Sequence, residues 1–207
     1  MEYIPSKINY SLPLKEHLPE NVPNWEINSS RSVLLIHDMQ HFFLNFFEPK
    51  MKDSLIKNIR VIKNWAYKNN VPVAYTMQPG GMTKEQRGLL KDFWGEGMKM
   101  VAEDKAVPNF ISPEERDWIF TKWRYSAFHK TNLLEKMNKN NKNQLIICGV
   151  YGHIGILMTS LESYTNDIET FVVADGIADF SEDLHMNTLN YTTKCCAALT
   201  TVGDFIK

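Results

Sequence analysis

Residues 145–156 read Leu-Ile-Ile-Cys-Gly-Val-Tyr-Gly-His-Ile-Gly-Ile, and this stretch decides how the rest of the chain folds. An apolar, β-branched run ends in glycines, and an amphipathic helical pattern follows at once. That order predicts a corner between a buried parallel strand and a helix. Glycines at 149, 152 and 155 let backbone N–H groups approach a ligand, and the start of a helix favours an anion. We therefore expect an active site at this corner.

The first helical turn of the corner carries no Ser, Thr or Cys that could act as a nucleophile. Cys148 lies in the strand that precedes the corner, so it does not supply one. The sequence therefore predicts chemistry by proton transfer rather than by covalent catalysis.

Buried strands alternate with helical patterns along the chain. The strands are predicted at residues 32–37, 72–76, 117–121, 144–149, 169–174 and 198–202, and the longer helices at 55–70, 154–166 and 181–196. This alternation predicts a three-layer α-β-α, Rossmann-like α/β fold, with a mostly parallel six-stranded sheet and helices on both faces. We expect one domain over residues 1–207, with residues 1–30 as an extended arm. Residues 91–116 are predicted to be a loop-rich excursion that covers the sheet edge.

The amino-acid composition limits which partners and which cellular compartment we expect for the protein. The 23 basic and 24 acidic residues nearly cancel without a basic block, which argues against nucleic acid and an anionic membrane as partners. The three cysteines have neither disulfide nor metal-ligand spacing. No signal-peptide pattern or membrane-span-length apolar run occurs, so we expect a cytoplasmic protein with a small substrate and no metal.

Three predicted strands deliver chemical groups to one edge, because the carboxyl ends of parallel strands meet there. Asp38 follows the first strand, Lys122 follows the third, and the glycine corner follows the fourth. Considered alone, Asp38 could equally be a helix N-cap or one member of a loop ion pair. Lys122, considered alone, is typical of a solvated loop residue. For His37 and His153 the sequence favours a place in the core or a supporting hydrogen bond over a role as metal ligand. Arg87, taken alone, fits a helix-surface charge.

Four pieces of the chain resemble the isochorismatases: residues 33–40, 121–128, 149–155 and 171–180. The resemblance extends over essentially the whole chain. The wider cysteine-hydrolase superfamily has an Asp-Lys-Cys triad, with its cysteine on the corner where this chain has Gly155. Isochorismatases lack that cysteine, as this chain does. Gly155 is expected to leave open the room that a cysteine would occupy.

The resemblance implies hydrolysis of a vinyl ether, in isochorismate or 2-amino-2-deoxyisochorismate, to pyruvate and a dihydro-hydroxybenzoate or dihydro-hydroxyanthranilate. Asp38 is expected to be the general acid that protonates the methylene carbon. Lys122 is expected to orient Asp38 and to hold a substrate carboxylate, although its charge opposes protonation of Asp38. No cofactor is implied. The resemblance also implies a cis peptide bond between Val150 and Tyr151.

The substrate is a small, chorismate-derived molecule with two carboxylates. Seven residues are assigned to binding it: Phe42, Gln78, Arg87, Trp94, Tyr125, Tyr151 and Gly155. Arg87, Gln78 and the backbone donors around Gly155 are expected to meet the carboxylates. Phe42, Trp94 and Tyr151 are expected to enclose the site and keep Asp38 protonated.

Residues 78–80 and 82–94 look most like the phenazine-pathway isochorismatases, although the second stretch also resembles the siderophore-pathway enzymes. The chain ends at Lys207 without the acyl-carrier domain that many siderophore enzymes append. We therefore expect a phenazine-type enzyme. A stand-alone siderophore isochorismatase is the alternative, and a cysteine-type amidohydrolase is less favoured. The scattered apolar residues of the arm and the family resemblance predict a homodimer.

Overall fold

The computed structural model describes residues 4–206, and within that range six segments are strands. In chain order they are β1 (Ser32–His37), β2 (Val73–Met77), β3 (Trp118–Thr121), β4 (Gln144–Val150), β5 (Glu169–Ala178) and β6 (Ala198–Thr200). Every neighbouring pair is parallel, and the order across the sheet is β3-β2-β1-β4-β5-β6. The predicted six-stranded α/β sheet is confirmed, and it is parallel throughout rather than mostly parallel.

Helices connect the strands and cover both faces of the sheet. They are α1 (His41–Leu44), α2 (Pro49–Lys68), α3 (Lys84–Arg87), α4 (Leu90–Trp94), α5 (Ala102–Lys105), α6 (Leu133–Lys139), α7 (Leu157–Thr165) and α8 (Glu182–Cys195). Short 3-10 helices span Lys15–His17, Asn109–Ile111 and Val202–Phe205, and a π-helical turn spans Gly152–Ile156.

The core divides into two layers because side chains alternate along a strand. In β1, Leu34 and Ile36 pack in the layer that contains α2, whereas Val33 and Leu35 pack in the layer that contains α6 and α8. All four side chains are fully buried. Burial of an aliphatic side chain of this size contributes about 1.5–3 kcal/mol. The three-layer arrangement predicted from the sequence is therefore confirmed.

The strand order reverses between β1 and β4, which are neighbours in the sheet although β2 and β3 lie between them in the chain. In open parallel sheets a ligand binds outside the carboxyl ends of the strands at such a switch point. The elements that leave β1 and β4 there are the segment from Asp38 onward and the glycine corner.

Several predicted boundaries were wrong, including those of α2, β5 and β6. Helix α2 starts at Pro49, six residues before the predicted start, because proline suits the first turn of a helix. Strand β5 runs to Ala178 rather than ending at residue 174, with a bulge opposite Ile147 and Gly149. Strand β6 stops at Thr200, because Thr201 and Asp204 form a capping box that starts the last 3-10 helix.

The amino-terminal arm packs along its own domain over the residues that the structure describes. Ile8 pairs with Phe47 in an isolated parallel bridge and is almost fully buried. The Tyr10 hydroxyl lies 2.9 Å from Nδ1 of His185. These contacts attach the arm to both the start of α2 and helix α8. No helix between residues 4 and 206 has the length and apolar character to cross a membrane.

Candidate active site

Asp38 and Lys122, 84 residues apart in sequence, meet at the carboxyl edge of the sheet. Nζ of Lys122 donates to Oδ2 of Asp38 over 3.0 Å, and the Thr76 hydroxyl donates to Oδ1 over 2.7 Å. Asp38 is 6% exposed and Lys122 only 2%. Asp38 is not a helix cap, because the cap of α1 is Gln40, and Lys122 is not a solvated loop residue. The structure therefore joins the two residues that sequence analysis placed at this edge.

Backbone pairing with β2 fixes where both side chains start. The Asp38 N–H bonds the Thr76 carbonyl over 3.2 Å, and the Lys122 N–H bonds the Met77 carbonyl over 2.8 Å. Asp38 adopts a left-handed backbone with φ of 51°, which turns the chain out of β1. Burial lowers the pKa of Lys122, and the Asp38 carboxylate partly opposes that shift. The amine is therefore a weaker base than a lysine in water.

A pocket with about 640 Å³ of empty space, including its mouth, opens above this pair. It is lined by all nine residues that the sequence assigned to the site: Asp38, Phe42, Gln78, Arg87, Trp94, Lys122, Tyr125, Tyr151 and Gly155. Sequence analysis missed others that also line it: Ile4, His37, Phe43, Leu90, Gly97, Arg124, Val150, Ile154 and Phe180. Most of these are apolar, so the pocket is a largely hydrophobic enclosure with a few charged groups.

Two arginines add positive charge to the pocket. Arg87 is 4% exposed, and its guanidinium donates to the carbonyls of Gly95 (2.9 Å) and Trp94 (3.2 Å), so it is not a helix-surface charge. Arg124 donates from Nη1 to the carbonyls of Gln86 (2.8 Å) and Trp123 (2.6 Å). Neither guanidinium forms a salt bridge within residues 4–206. The signal for Arg124 was its spacing of two from Lys122, which in an extended chain points both side chains the same way.

The aromatic residues serve two different functions. The Trp94 indole donates to the Tyr125 hydroxyl over 2.8 Å, which ties α4 to the segment after β3. The Tyr151 hydroxyl instead donates to the Phe43 carbonyl over 2.7 Å, and its ring lies 4.5 Å from that of Phe180. The hydroxyl of Tyr151 is therefore committed to the backbone, and only its ring faces the pocket.

Gln40 holds the loop that carries Gln78, and sequence analysis overlooked it. Its side-chain nitrogen donates to the carbonyls of Gln78 (2.9 Å) and Lys105 (3.1 Å), while its oxygen accepts from the Gln78 N–H (2.7 Å). Gln40 is almost fully buried. A glutamine two residues after Asp38, among apolar neighbours, was the available signal.

The corner after β4 differs in part from the prediction. The peptide bond between Val150 and Tyr151 is cis, as the resemblance implied. The N–H of His153 bonds Oδ2 of Asp179 over 2.6 Å, and those of Ile154 and Ile156 bond the Tyr151 carbonyl. These three donors therefore cannot also bind a ligand, and the predicted backbone cradle is smaller than expected. His153 supports the corner, since its ring also lies 2.6 Å from Asp179.

The prediction of open room at Gly155 was wrong. A Cβ added at Gly155 would lie 2.2 Å from Cε1 of His37 and 2.8 Å from its Nε2, so the imidazole fills that volume. His37 is fully buried, and its Nδ1 lies 2.9 Å from the Val150 carbonyl. Burial lowers the pKa of His37 to about 4, so the ring is neutral near pH 7. Sequence analysis predicted a core or supporting hydrogen-bonding role for His37 but did not foresee this contact.

The cysteines lie apart from this chemistry. Cys148 is buried in β4, where its thiol donates to the Leu35 carbonyl, and burial raises its pKa. It therefore stays protonated and enclosed by the sheet. Among residues 4–206, no three His, Cys, Asp or Glu side chains are grouped so that they could hold a metal ion.

Comparison with known proteins identifies the family. The isochorismatase domain model matches residues 32–204. The chain is 48% identical to a "Probable isochorismatase" of Pseudomonas chlororaphis and 47% identical to the "Phenazine biosynthesis protein PhzD" of Pseudomonas fluorescens, each over the full length of both chains. Its fold resembles the crystal structure of a cysteine hydrolase from Pseudomonas syringae pv. phaseolicola 1448A, with a TM-score of 0.81 and 20% identity over 91% of this chain and 95% of that one. The chain therefore belongs to the isochorismatase family.

Proposed function

We propose that this protein hydrolyses the vinyl ether of isochorismate or 2-amino-2-deoxyisochorismate and releases pyruvate. The observation that carries the proposal is the placement of one carboxyl group, Asp38, at the base of an apolar pocket that also holds Lys122, Arg87 and Arg124. A single acid supports protonation of carbon, and the cations match a substrate with two carboxylates.

The charge balance of the pocket supports this substrate class. Lys122, Arg87 and Arg124 contribute three positive charges, and an ionised Asp38 contributes one negative charge, which leaves a net charge of +2 on these four residues. Guanidinium groups remain charged in proteins and bind carboxylates through two parallel hydrogen bonds. Two substrate carboxylates therefore neutralise the site. We assign Gln78 and Arg87 to substrate binding, with Arg124 beside them.

The reaction needs a proton on Asp38. The acid protonates the methylene carbon of the enol ether, which becomes a methyl group and leaves an oxocarbenium ion. Water adds to the cationic carbon and loses a proton to the Asp38 carboxylate. The resulting hemiketal collapses to pyruvate and the ring alcohol. No side-chain nucleophile takes part.

Lys122 and three aromatic residues flank the carboxyl group of Asp38. Burial lowers the pKa of Lys122. Phe42, Trp94 and the ring of Tyr151 form the apolar wall of the pocket. We assign Lys122 to orienting Asp38 and to contacting a substrate carboxylate.

We infer a phenazine-type role, because the chain matches the phenazine-named relative along its whole length. The alternative is a siderophore-type isochorismatase, and the two differ in the preferred substrate. Each substrate is incubated with the enzyme, and pyruvate is followed through lactate dehydrogenase. A kcat/KM higher for the amino substrate supports the phenazine-type role, and one higher for isochorismate supports the alternative.

The Asp38→Asn and Asp38→Ala variants test the mechanism. Loss of a positioned general acid lowers kcat by about 10²–10⁴-fold, whereas substrate affinity stays near that of the wild type. Asp53→Asn, which alters an exposed carboxylate on α2, is the matched control and keeps full activity. An Asp38→Ala variant with more than about a tenth of the wild-type rate would contradict the assignment.

We also propose that the protein is a cytoplasmic homodimer. Leu14 and Val22 of the arm are apolar and 56% and 71% exposed, and we propose that a second subunit covers them. Sedimentation equilibrium at micromolar concentration should give twice the 24.0 kDa chain mass. A mass equal to one chain would refute the dimer.

A further inference from the structure

The imidazole ring of His37 occupies the space that a side chain at position 155 would need, at the wall of the pocket. The His37 ring lies so close to Gly155 that any Cβ at position 155 would overlap the ring at Cε1, at 2.2 Å. A contact of that length requires one of the two groups to move. The imidazole can turn only about its two side-chain torsions, and because it is fully buried it must displace a neighbouring group when it moves.

The position of His37 is fixed from two sides. Its Nδ1 donates to the Val150 carbonyl over 2.9 Å, on the strand that leads into the corner. Its backbone packs on Gly149, where an added Cβ would lie 2.1 Å from the His37 carbonyl oxygen, and Gly149 has a φ of 119° that favours glycine. If the ring is displaced, it must therefore press on a neighbouring group other than Val150 or Gly149.

The carboxyl group of Asp38 lies next to the His37 ring. Oδ2 of Asp38 lies 3.7 Å from Nδ1 of His37, and Asp38 is the next residue in the chain. Within the part of the chain that the structure describes, Nε2 of His37 is buried without a hydrogen-bond partner. A buried ring nitrogen without a hydrogen bond costs free energy, which the bond at Nδ1 must offset.

We propose that His37 is a positioning residue for the reaction, and that Gly155 must lack a side chain because the imidazole occupies its place. The ring, anchored at the Val150 carbonyl, fixes the end of β1 and with it the direction of the Asp38 carboxyl group. A side chain at residue 155 displaces the ring and misaligns Asp38. The kinetic part of this inference rests on the proposed hydrolase function, whereas the contact between His37 and Gly155 does not.

The test is a double-substitution cycle with Gly155→Ala and His37→Asn. An asparagine amide keeps a donor near the position of Nδ1 but lacks the ring atoms that meet residue 155. Gly155→Ala is expected to lower kcat about 100-fold with little change in KM, as a displacement of about 1 Å at a catalytic group does. His37→Asn costs less, because the bond to Val150 is kept. The double variant is expected to exceed Gly155→Ala in kcat by about tenfold or more, beyond the twofold scatter of independent sites.

Gly176→Ala is the matched control. It also inserts a methyl group into the core, 2.9 Å from Cγ1 of Val173, but on β5 and outside the pocket. It is expected to lower the urea midpoint of unfolding without lowering kcat, and His37→Asn is not expected to rescue it. If the effects of Gly155→Ala and His37→Asn on kcat simply multiply in the double variant, the two sites are independent and the proposal is overturned.

The urea midpoint of the same four proteins tests the contact without any activity. The double variant is expected to unfold at a higher urea concentration than Gly155→Ala. If Gly155→Ala does not fold, recovery of folding in the double variant supports the contact, and failure to recover overturns it. A wild-type enzyme that releases no pyruvate would refute the proposed function, and the unfolding cycle would still decide whether the two residues share this volume.

Discussion

The hydroxyl of Thr76 and the carboxyl group of Asp38 form a reciprocal pair. The Thr76 hydroxyl donates to Oδ1 over 2.7 Å, and it shares the Asp38 backbone N–H with the Thr76 carbonyl, each at 3.2 Å. Since Lys122 donates to Oδ2, each carboxyl oxygen has a partner. Neighbouring strands therefore fix the plane of the proposed general acid before any substrate binds, as preorganised catalysis requires.

We predict that Thr76→Val lowers kcat about tenfold with KM unchanged, since a hydrogen bond of this kind contributes about 0.5–1.5 kcal/mol. Thr76→Ser, which keeps the hydroxyl, should retain most of the activity and is the control. Steady-state kinetics with the lactate dehydrogenase coupling measures both variants. Equal kcat values for the valine and serine variants would show that the hydroxyl does not orient Asp38.

Arg124 should act on binding rather than on chemistry. Arg124→Met removes a half-buried guanidinium from the pocket, and loss of one charged hydrogen-bond partner costs about 1.5–3 kcal/mol, or roughly 10–150-fold in KM. The kcat value should change little. Arg60→Met, on the exposed side of α2, is the control, because Arg60 packs over Phe110 away from the pocket. Isothermal titration of the inactive Asp38→Asn protein measures the affinity directly, and an unchanged affinity would remove Arg124 from the site.

Tyr151→Phe should separate the hydroxyl of Tyr151 from its ring. The hydroxyl bonds the Phe43 carbonyl, so its loss should reduce the free energy of unfolding by about 1 kcal/mol. Turnover should stay within a factor of two, since the ring remains. Chemical denaturation and steady-state kinetics report the two effects. A large rise in KM would instead mean that the hydroxyl binds substrate.

Stability should fall in mildly acidic solution because of two buried histidines. Burial lowers the pKa of both His37 and His185 to about 4, below the ordinary value of 6.5 that each regains on unfolding. Between those values the unfolded chain binds protons that the folded chain does not, so stability decreases as pH falls from 6.5 to 4. Each histidine accounts for a loss of about 2 kcal/mol between pH 7 and pH 5.

Urea unfolding at pH 7 and pH 5 measures this loss. His185→Gln should remove about half of the histidine contribution, because His185 lies beside Tyr10 and Ala174 with both ring nitrogens bonded. A His185→Gln protein with the full wild-type slope would refute this origin.

Much of the backbone follows from local sequence. The apolar run that ends in glycines at residue 149 is a strand followed by a turn of helix, and the same reasoning placed Asp38 and Lys122 at the ends of two other strands. Because parallel strands all end at one edge, those two residues had to approach each other. The family likewise follows from motifs that the linear sequence displays. Some helix and strand ends were mispredicted, because Pro49 starts α2 earlier and the Thr201 capping box ends β6 sooner.

Only the tertiary structure decided which atoms individual side chains contact. The hydroxyl of Tyr151 is taken by a carbonyl 108 residues away, and the space at Gly155 is taken by a ring from another strand. The N–H of His153 is taken by Asp179, the residue that follows β5. The spacing of apolar residues along the sequence predicts which face of its own helix or strand a residue lies on. It carries no information on which distant atom already fills that space, because close packing sets that occupancy among residues that meet only in the fold.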